Sequence, residues 1–247
     1  MKTSDIDVTK RFMIALIGPT GQGKSVAAAS FHKAGPIKFF DFDGRMKSVK
    51  KIHPTADIDY DIYGPDNLSQ KFIPEFNNLV KSCPWKTIVI DSLTSLSMTA
   101  ITAQLMNKGL GGGSSIKTNK GGLAVTGWDE INAETILISQ ILDICKILPC
   151  HVIMTFHPVE RTIGTEGNTQ KVTTVVAYGN KINQIALNYF DEVYYLDVDK
   201  GFTEKDVSRR IALTDTNIKA IAKSALNIPV KMDITNGLYD TLMKELK

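Results

Sequence analysis

Residues 18–25 read GPTGQGKS and constrain the fold of this chain more than any other stretch. They fit the pattern G-x-x-x-x-G-K-[ST] of the phosphate-binding loop, or P-loop. An apolar run, FMIALI, precedes them at residues 12–17, and an Ala-rich stretch suited to a helix follows at residues 24–33. In this order, strand, loop and helix aim several backbone N–H groups at one anion, at the positive end of the helix. The motif therefore predicts an α/β fold that holds phosphate.

The P-loop and the start of its helix supply the candidate nucleotide-binding residues: Gly18, Pro19, Thr20, Gly21, Gln22, Gly23, Lys24, Ser25 and Val26. Lys24 is expected to reach the outer phosphates, and the Ser25 hydroxyl to ligate Mg²⁺. A glycine-rich turn that matches the pattern by chance is the alternative, but the flanking strand and helix would then also be coincidental. The sequence predicts a nucleoside triphosphate, taken as ATP, and Mg²⁺ as ligands.

Three further apolar runs end in polar side chains: IKFF before Asp41 and Asp43, TIVI before Asp91, and HVIMTF before His157. Ligands of open α/β sheets gather just beyond such strand ends. An apolar strand that ends in Asp, downstream of a P-loop, is typical of the carboxylate that supports Mg²⁺ through its water shell. Asp91 is therefore the candidate metal-side carboxylate. Asp41 and Asp43 by themselves fit a ligand site and a solvated acidic turn equally well.

The composition favours one α/β domain over residues 1–247, with a loose lead-in at 1–10. Of the 247 residues 43% are apolar, and the net charge of +3 is too small to indicate a nucleic-acid partner. Cys83, Cys145 and Cys150 are odd in number and form no CxxC pair, which argues against a disulfide framework and for a reducing compartment. Neither a signal peptide nor an apolar run of about 18 residues is present, so a soluble cytoplasmic protein with no membrane partner is expected.

Residues 107–127, NKGLGGGSSIKTNKGGLAVTG, differ from their surroundings, with seven glycines, three lysines and no acidic residue. A long basic loop of this kind could follow a phosphate backbone, whereas the alternative is a solvated connector without a role. Alternating residues at 160–177 predict a β-hairpin around residues 164–168. Periodicity further predicts helices at 67–81, 93–106, 128–148, 181–189, 217–226 and 238–247, and strands at 60–63, 191–197 and 207–214.

With GPTGQGKS, DFD, VIDS and TFHP on successive strands, the chain resembles a RecA-type core ATPase. More narrowly, IVIDSLTSL, HVIMTFHP, NYFDEVYYLD and IKAIAKSALNIP are similar to phage-encoded RecA-like nucleotide-binding proteins, a group that includes single-strand annealing recombinases. The resemblance covers about residues 11–235. It implies a RecA-like P-loop NTPase core, a mostly parallel sheet with helices on both faces. The strand that carries the sensor residue then lies between the P-loop strand and the metal-aspartate strand.

The resemblance also implies roles for individual residues. Lys24, Ser25 and Asp91 keep the phosphate and metal roles given above, and Asp43 takes the place of the carboxylate that orients the attacking water. That carboxylate is usually Glu, so the shorter Asp43 leaves a water relay or slow turnover open. His157 stands where RecA itself commonly has Gln and would contact the γ-phosphate, the alternative being a strand-end histidine that meets solvent.

Segments 107–127 and 158–177 match the two DNA-binding loops of the RecA core. Candidate DNA contacts are Lys108, Lys117, Lys120, Arg161 and Lys171. RecA-type ATPases act as rings or filaments in which a neighbouring subunit supplies a cation to the γ-phosphate. Lys181 and Lys223 are the candidates for that cation, and surface solvation is the alternative for each. The implied partners are single-stranded DNA, further copies of the chain and a single-stranded-DNA-binding protein, in the host cytoplasm if the protein is phage-encoded.

The leading hypothesis is an ATP-dependent DNA-recombination protein that binds single-stranded DNA as an oligomer, hydrolyses ATP with Mg²⁺ and promotes annealing or strand pairing. The alternative is a nucleotide-gated assembly factor that acts through protein partners, with little turnover and no direct DNA contact. A small-molecule kinase ranks last, because the sequence shows no basic, Arg-rich lid.

Overall fold

The computed structural model describes residues 10–110, 126–165, 168–175, 177, 180–199, 208–216 and 221–246. Ten strands lie within these ranges: β1 (Met13–Ile17), β2 (Ile37–Asp41), β3 (Ile58–Ile62), β4 (Thr87–Asp91), β5 (His151–Phe156), β6 (Pro158–Thr165), β7 (Asn168–Val175), β8 (Glu192–Asp199), β9 (Arg209–Leu213) and β10 (Lys231–Asp233). Seven α-helices accompany them: α1 (Lys24–Ala29), α2 (Met46–Ile52), α3 (Ile73–Asn78), α4 (Leu93–Leu110), α5 (Trp128–Ile147), α6 (Asn180–Ile185) and α7 (Leu238–Glu245).

Eight strands form one sheet in the order β10-β9-β8-β1-β5-β4-β2-β3. Adjacent strands are parallel from β8 through β1, β5, β4 and β2 to β3. At the other edge, β9 pairs antiparallel with both β8 and β10. The mostly parallel α/β sheet predicted from the sequence is therefore confirmed. The expected strand order is also present, because β5 lies between β1, which precedes the P-loop, and β4, which ends in Asp91.

Continuous apolar runs produce this sheet because its central strands are covered on both faces. Strands β1, β2, β4 and β5 are buried at every position. Alternate residues of β1 enter different cores: Met13 and Ala15 pack in the core that includes residues of α4 and α5, whereas Ile14 and Leu16 pack with residues of α1 and α7. The two cores hold helices against both faces of the sheet and fix the strand ends at which the polar residues cluster.

The predicted β-hairpin is confirmed as β6 and β7, which pair antiparallel from Pro158–Val175 to Thr165–Asn168. Residues 166 and 167 of its turn lie outside the described residues. The hairpin forms a two-stranded sheet of its own, and its first residue directly follows His157. A displacement of the His157 backbone would therefore also displace Pro158, the first residue of the hairpin.

Three element predictions are wrong in part. The helical stretch predicted at 67–81 is present only over residues 68–78, as a π-helix, Leu68–Phe72, that continues into α3, whose first turn contains Pro74 because proline fits a helix start and not its interior. Residues 107–110, predicted as the start of a loop, belong to α4, which continues to Leu110; residues 111–125 lie outside the described residues.

The helix predicted at 217–226 is absent over residues 221–226, and 217–220 lie outside the described residues. Lys223 instead forms an isolated antiparallel bridge with Val193 of β8. Its N–H donates to the Val193 carbonyl at 2.9 Å, and the Val193 N–H donates back at 2.8 Å. Pairing with a strand overrode the local helix pattern here, and the short edge strand β10 that follows was missed.

Among the helices that the structure describes, none has both the length and the apolar character needed to cross a lipid bilayer.

His151 is a buried histidine in the core at the start of β5. Only 8% of the residue is exposed, and its ring stacks on Phe12 with 5.2 Å between centroids. The Phe12 N–H donates to its Nδ1 at 3.1 Å. Burial, aided by the positive charges of Arg11 and Lys86, lowers the pKa of His151 to about 4. The folded protein therefore holds this imidazole neutral.

We expect this histidine to make folding pH-dependent. Between pH 6.5 and about 4 the unfolded chain binds a proton that the folded chain excludes, so stability is lost as the pH falls through this window. The expected loss between pH 7 and 4.5 is about 2 kcal/mol for this group. Urea unfolding at both pH values checks it, with His151→Asn as the non-titrating variant that keeps a hydrogen-bond acceptor. Equal pH-dependence of the two proteins would contradict the assignment.

Candidate functional site

The polar strand ends converge on one cavity of about 590 Å³ at the carboxyl edge of the sheet. Register brings them together, since Asp41 of β2 pairs with Asp91 of β4, and Ile17 of β1 pairs with Phe156 of β5. The lining combines P-loop residues, two carboxylates and several cations: Thr20, Gly21, Gly23, Lys24, Ser25, Val26, Asp43, Arg45, Lys47, Ser48, Lys51, Ile52, Asp91, His157 and Arg210.

The P-loop backbone requires its glycines. Gly21 and Gly23 have φ angles of +89° and +86°, which L side chains rarely adopt. A Cβ at Gly18 would lie 2.8 Å from the Leu196 carbonyl oxygen on β8. The Ala27 N–H donates to the Gly23 carbonyl at 2.8 Å, so α1 begins directly at the end of the loop. The loop therefore presents its backbone to the cavity at the positive end of α1.

Lys24 is buried against this loop, with 6% of the residue exposed. Its Nζ donates to the carbonyl oxygens of Gly18 at 2.6 Å and Pro19 at 3.2 Å. Burial lowers the pKa of Lys24 to about 8, although the nearby carboxylates of Asp91 and Asp43 act in the opposite direction. The ammonium group is thus held inside the cavity by two neutral carbonyl oxygens, which a charged ligand oxygen could replace.

Asp91 and Ser25 lie side by side beneath the loop. Asp91 is 2% exposed at the end of β4 and accepts hydrogen bonds from the hydroxyls of Ser25 and Thr155. Burial raises the pKa of Asp91, while those two hydrogen bonds lower it. A carboxylate and a hydroxyl in contact are the oxygen donors that Mg²⁺ prefers, so the residues present fit this ion. Thr155 was missed by the sequence analysis, because a threonine in an apolar strand carries no motif.

Asp41 and Asp43 differ in position, since Asp41 binds the backbone of the turn after β2 and Asp43 lines the cavity. Asp41 is fully buried and accepts the backbone N–H groups of Asp43 at 3.0 Å, Gly44 at 2.8 Å and Arg45 at 3.0 Å. It therefore fixes the turn after β2. That turn places the side chain of the next acidic residue, Asp43, in the cavity lining. Of the two alternatives, Asp41 is thus the acidic residue of a turn, and Asp43 belongs to the candidate ligand site.

Asp43 is enclosed by hydrogen-bond donors, with 7% of its side chain exposed. Oδ1 accepts from Ser92 at 3.1 Å and from Ser95, and Oδ2 accepts from Nε2 of His157 at 3.3 Å. Burial alone would raise its pKa, but the hydrogen bonds from His157 and Ser95 outweigh burial and lower the pKa to about 2. Asp43 is therefore an ionised acceptor at neutral pH.

His157 connects this carboxylate to the end of β5. Its side chain is 23% exposed, and its backbone N–H donates to Oγ1 of Thr94 at 3.1 Å. The residue thus has specific partners on two sides and is not merely a strand-end histidine that meets solvent. The sequence predicted both Asp43 and His157 at the site but not their contact, because 114 positions separate them.

Four cations at the cavity were missed: Arg45, Lys47, Lys51 and Arg210. Arg210 comes from the antiparallel strand β9 and lies against the P-loop, where a Cβ on Gly23 would be 3.0 Å from its Nε. Arg45 follows Asp43 by two positions, and Lys47 and Lys51 belong to α2. No motif marks any of them, so only the fold reveals a cavity with a strongly cationic wall.

One candidate DNA contact, Lys108, is paired with acidic side chains. Lys108 ends up on α4, where its ammonium pairs with Glu130 and, at 3.3 Å, with Asp129. The interpretation of residues 107–127 as a basic segment without counter-charge is therefore wrong at Lys108, because acidic residues of α5 compensate it.

The other candidate cations have different positions in the fold, where the structure describes them. Lys117 and Lys120 lie outside the described residues. Arg161 on β6 pairs with Val172, and Lys171 on β7 pairs with Thr162. Lys181 belongs to α6, and the exposed Lys223 lies beside β8. Within the described part of the chain, the lining of the nucleotide-sized cavity includes none of these.

A P-loop between β1 and α1, an acidic β4 end and a parallel sheet with β5 between those strands define a P-loop NTPase. The AAA_24 family of AAA domains matches residues 10–226, and the chain belongs to this family of P-loop ATPases. A search of curated proteins found no match to the sequence.

Proposed function

We propose that the protein is a RecA-like ATPase that binds single-stranded DNA as an oligomer and couples Mg²⁺-dependent ATP hydrolysis to annealing or strand pairing. The observation that carries this proposal is the contact of 3.3 Å between Asp43 and His157. It joins a carboxylate that lines the P-loop cavity to the residue directly before the β6–β7 hairpin.

The phosphate site rests on Lys24 and the loop backbone. When a triphosphate enters, the ammonium exchanges the carbonyls of Gly18 and Pro19 for phosphate oxygens, which are charged and therefore stronger acceptors. Ser25 and Asp91 would hold Mg²⁺, which neutralises the charge on the outer phosphates. The cationic wall with Arg45 and Arg210 adds to this attraction for an anion.

Asp43 is the acceptor that orients the attacking water. Its low pKa keeps it ionised, and an ionised carboxylate is a strong hydrogen-bond acceptor for a water; because a pKa of about 2 also makes it a weak base, its proposed role is to orient the water. The side chain is one methylene shorter than the Glu usual in RecA-like proteins. Ser92, Ser95 and His157 hold it in one orientation, which limits the entropy lost when the water is aligned.

His157 transmits the state of the site to the hairpin. The His157 ring contacts Asp43, its backbone N–H contacts Thr94, and its chain continues directly into β6. A change at the γ-phosphate that displaces Asp43 would therefore also displace His157 and, with it, the first residue of β6. Arg161 and Lys171 of the hairpin, with Lys117 and Lys120, are the proposed phosphate-backbone contacts. Lys108 is left out of this set because it is paired with Glu130. Lys181 and Lys223 remain the proposed inter-subunit cations.

The test is a titration of a labelled oligonucleotide with and without Mg²⁺ and a non-hydrolysable ATP analogue, read by mobility shift and particle imaging. We expect binding that weakens as salt rises and assemblies that depend on nucleotide. The double variant Arg161→Ala, Lys171→Ala should weaken binding about tenfold or more and lower the salt slope by about 1.4. The exposed pair Lys81→Ala, Lys244→Ala is the charge-matched control. Nucleotide-dependent assembly without any mobility shift would favour an assembly factor and contradict DNA binding.

A further prediction concerns Arg210. Arg210→Ala should weaken binding of a fluorescent ATP analogue about five- to tenfold, since one charge-assisted contact to an anion is worth about 1–1.5 kcal/mol. The neighbouring Arg209→Ala is the control, because Arg209 is exposed on the same strand and does not line the cavity. Equal affinities in the two variants would show that Arg210 only packs against the loop.

A further inference from the structure

Two cysteines that are distant in sequence meet at the amino edge of the sheet. Cys83 precedes β4 and Cys150 directly precedes β5, and their Sγ atoms lie 3.6 Å apart across 67 sequence positions. The nucleotide cavity lies at the opposite, carboxyl edge of the same strands. The odd cysteine count argued against a disulfide framework, and the spacing gave no sign that these two thiols touch.

The backbone around the pair is well anchored. Thr87 of β4 is in register with His151 of β5, and the His151 N–H donates to the Lys86 carbonyl at 3.0 Å. Nε of Arg11 donates to the carbonyl of Cys150 at 3.2 Å. The sheet therefore fixes Cys150 and the start of β4, whereas Cys83 itself lies in the irregular segment just before β4.

The two sulfurs differ in access and in acidity. Cys83 is partly exposed, whereas 4% of Cys150 is exposed. A hydrogen bond between the sulfurs lowers the pKa of Cys83 to about 7, against the effect of burial, and raises the pKa of Cys150. Burial raises the pKa of the fully buried Cys145. Cys83 is thus the thiol that a small disulfide can reach, and Cys150 is placed to resolve an adduct on it.

We propose that Cys83 and Cys150 form a reversible thiol–disulfide site that reacts with low-molecular-weight disulfides. The Cys83 thiolate attacks the small disulfide, forms a mixed disulfide and releases one small thiolate. The Cys150 sulfur then attacks the Cys83 sulfur and displaces the second small thiol, which carries away the Cys150 proton. Two protein thiols are oxidised to one disulfide, and one small disulfide is reduced to two thiols. The sulfurs need to approach from 3.6 Å to about 2 Å, and the irregular segment that carries Cys83 allows this shift.

The cross-link would close a loop of 67 positions that contains β4, α4 and α5. Such a loop loses much of its freedom in the unfolded chain, so the oxidised protein should melt about 5–10 °C higher than the reduced protein. The site would therefore make the stability of this fold respond to the thiol–disulfide balance around it.

The test treats the full chain with oxidised glutathione, blocks free thiols with iodoacetamide and maps cysteine peptides by mass spectrometry. We expect a Cys83–Cys150 peptide pair, one free Cys145 and full reversal by dithiothreitol. The rate should rise with pH around 7, and Cys83→Ser should abolish the reaction. Cys150→Ser should stop at a glutathione adduct on Cys83, and Cys145→Ala should react like the original chain.

Other outcomes overturn the proposal. These are a stable glutathione adduct on Cys83 in the original chain, a bond to Cys145, unreacted Cys83 at pH 8, or a mapped disulfide without any rise in melting temperature. Because Cys83 is partly exposed, Cys83→Ser keeps the test decisive even if Cys150→Ser does not fold.

Discussion

Lys24→Ala is expected to reduce ATP affinity at least 100-fold and to remove measurable ATPase activity. The residue supplies the only ammonium among the P-loop residues 18–25, and a charge-assisted contact to phosphate inside a partly closed cavity is worth about 3 kcal/mol or more. Calorimetric titration with ATP and Mg²⁺, combined with a phosphate-release assay, measures both effects.

Thermal unfolding separates loss of binding from loss of folding in this variant. Burial lowers the pKa of Lys24 to about 8, which means that folding disfavours its charged form below about pH 10.5. Removing it should therefore leave the melting temperature of the nucleotide-free protein unchanged or higher. Lys51→Ala, which removes another lysine of the same cavity, is the control and should weaken binding far less. Comparable ATP affinity in Lys24→Ala and the original chain would show that phosphate binds elsewhere.

Asp43→Asn is expected to lower kcat about 100- to 1,000-fold while the dissociation constant for ATP changes less than about threefold. The amide keeps the shape of the carboxylate and can still accept from Ser92 and Ser95, but it loses the charge that is proposed to align the water. Single-turnover hydrolysis and equilibrium binding measured on one preparation distinguish the two parameters.

The control for Asp43 is Asp66→Asn, which removes an exposed carboxylate remote from the cavity lining. Asp43→Glu is a second informative variant, since it lengthens the acidic side chain by one methylene at a position already enclosed by three donors. Undiminished turnover in Asp43→Asn would assign the alignment of the water to another group.

Local chemistry made much of the fold and part of the site predictable. The P-loop needs glycines and a lysine at fixed spacing, and the strands before it and before Asp91 are continuous apolar runs, so each was visible within about ten residues. The order of β1, β5 and β4 came from the resemblance and is confirmed.

Contacts between distant segments were not predictable in the same way. Asp43 and His157 are 114 positions apart, and Arg210 reaches Gly23 from a strand with no motif. Lys108 looked unpaired in sequence because its partner Glu130 lies beyond a long glycine-rich stretch. At Lys223 the conformation follows from hydrogen bonds to the backbone N–H and carbonyl of Val193 in β8. Local helix propensity contributes little free energy by comparison and did not determine it.

The position of Arg210 against Gly23 has a consequence for synthesis of the chain. The P-loop motif is complete at residue 25, but one wall of its cavity comes from β9, and β8 supplies the carbonyl against which Gly18 packs. A nascent or truncated chain that ends before residue 208 contains every motif residue and still lacks this wall. Since the loss of Arg210 alone is expected to weaken nucleotide binding about five- to tenfold, ATP would stabilise completed chains more than such fragments.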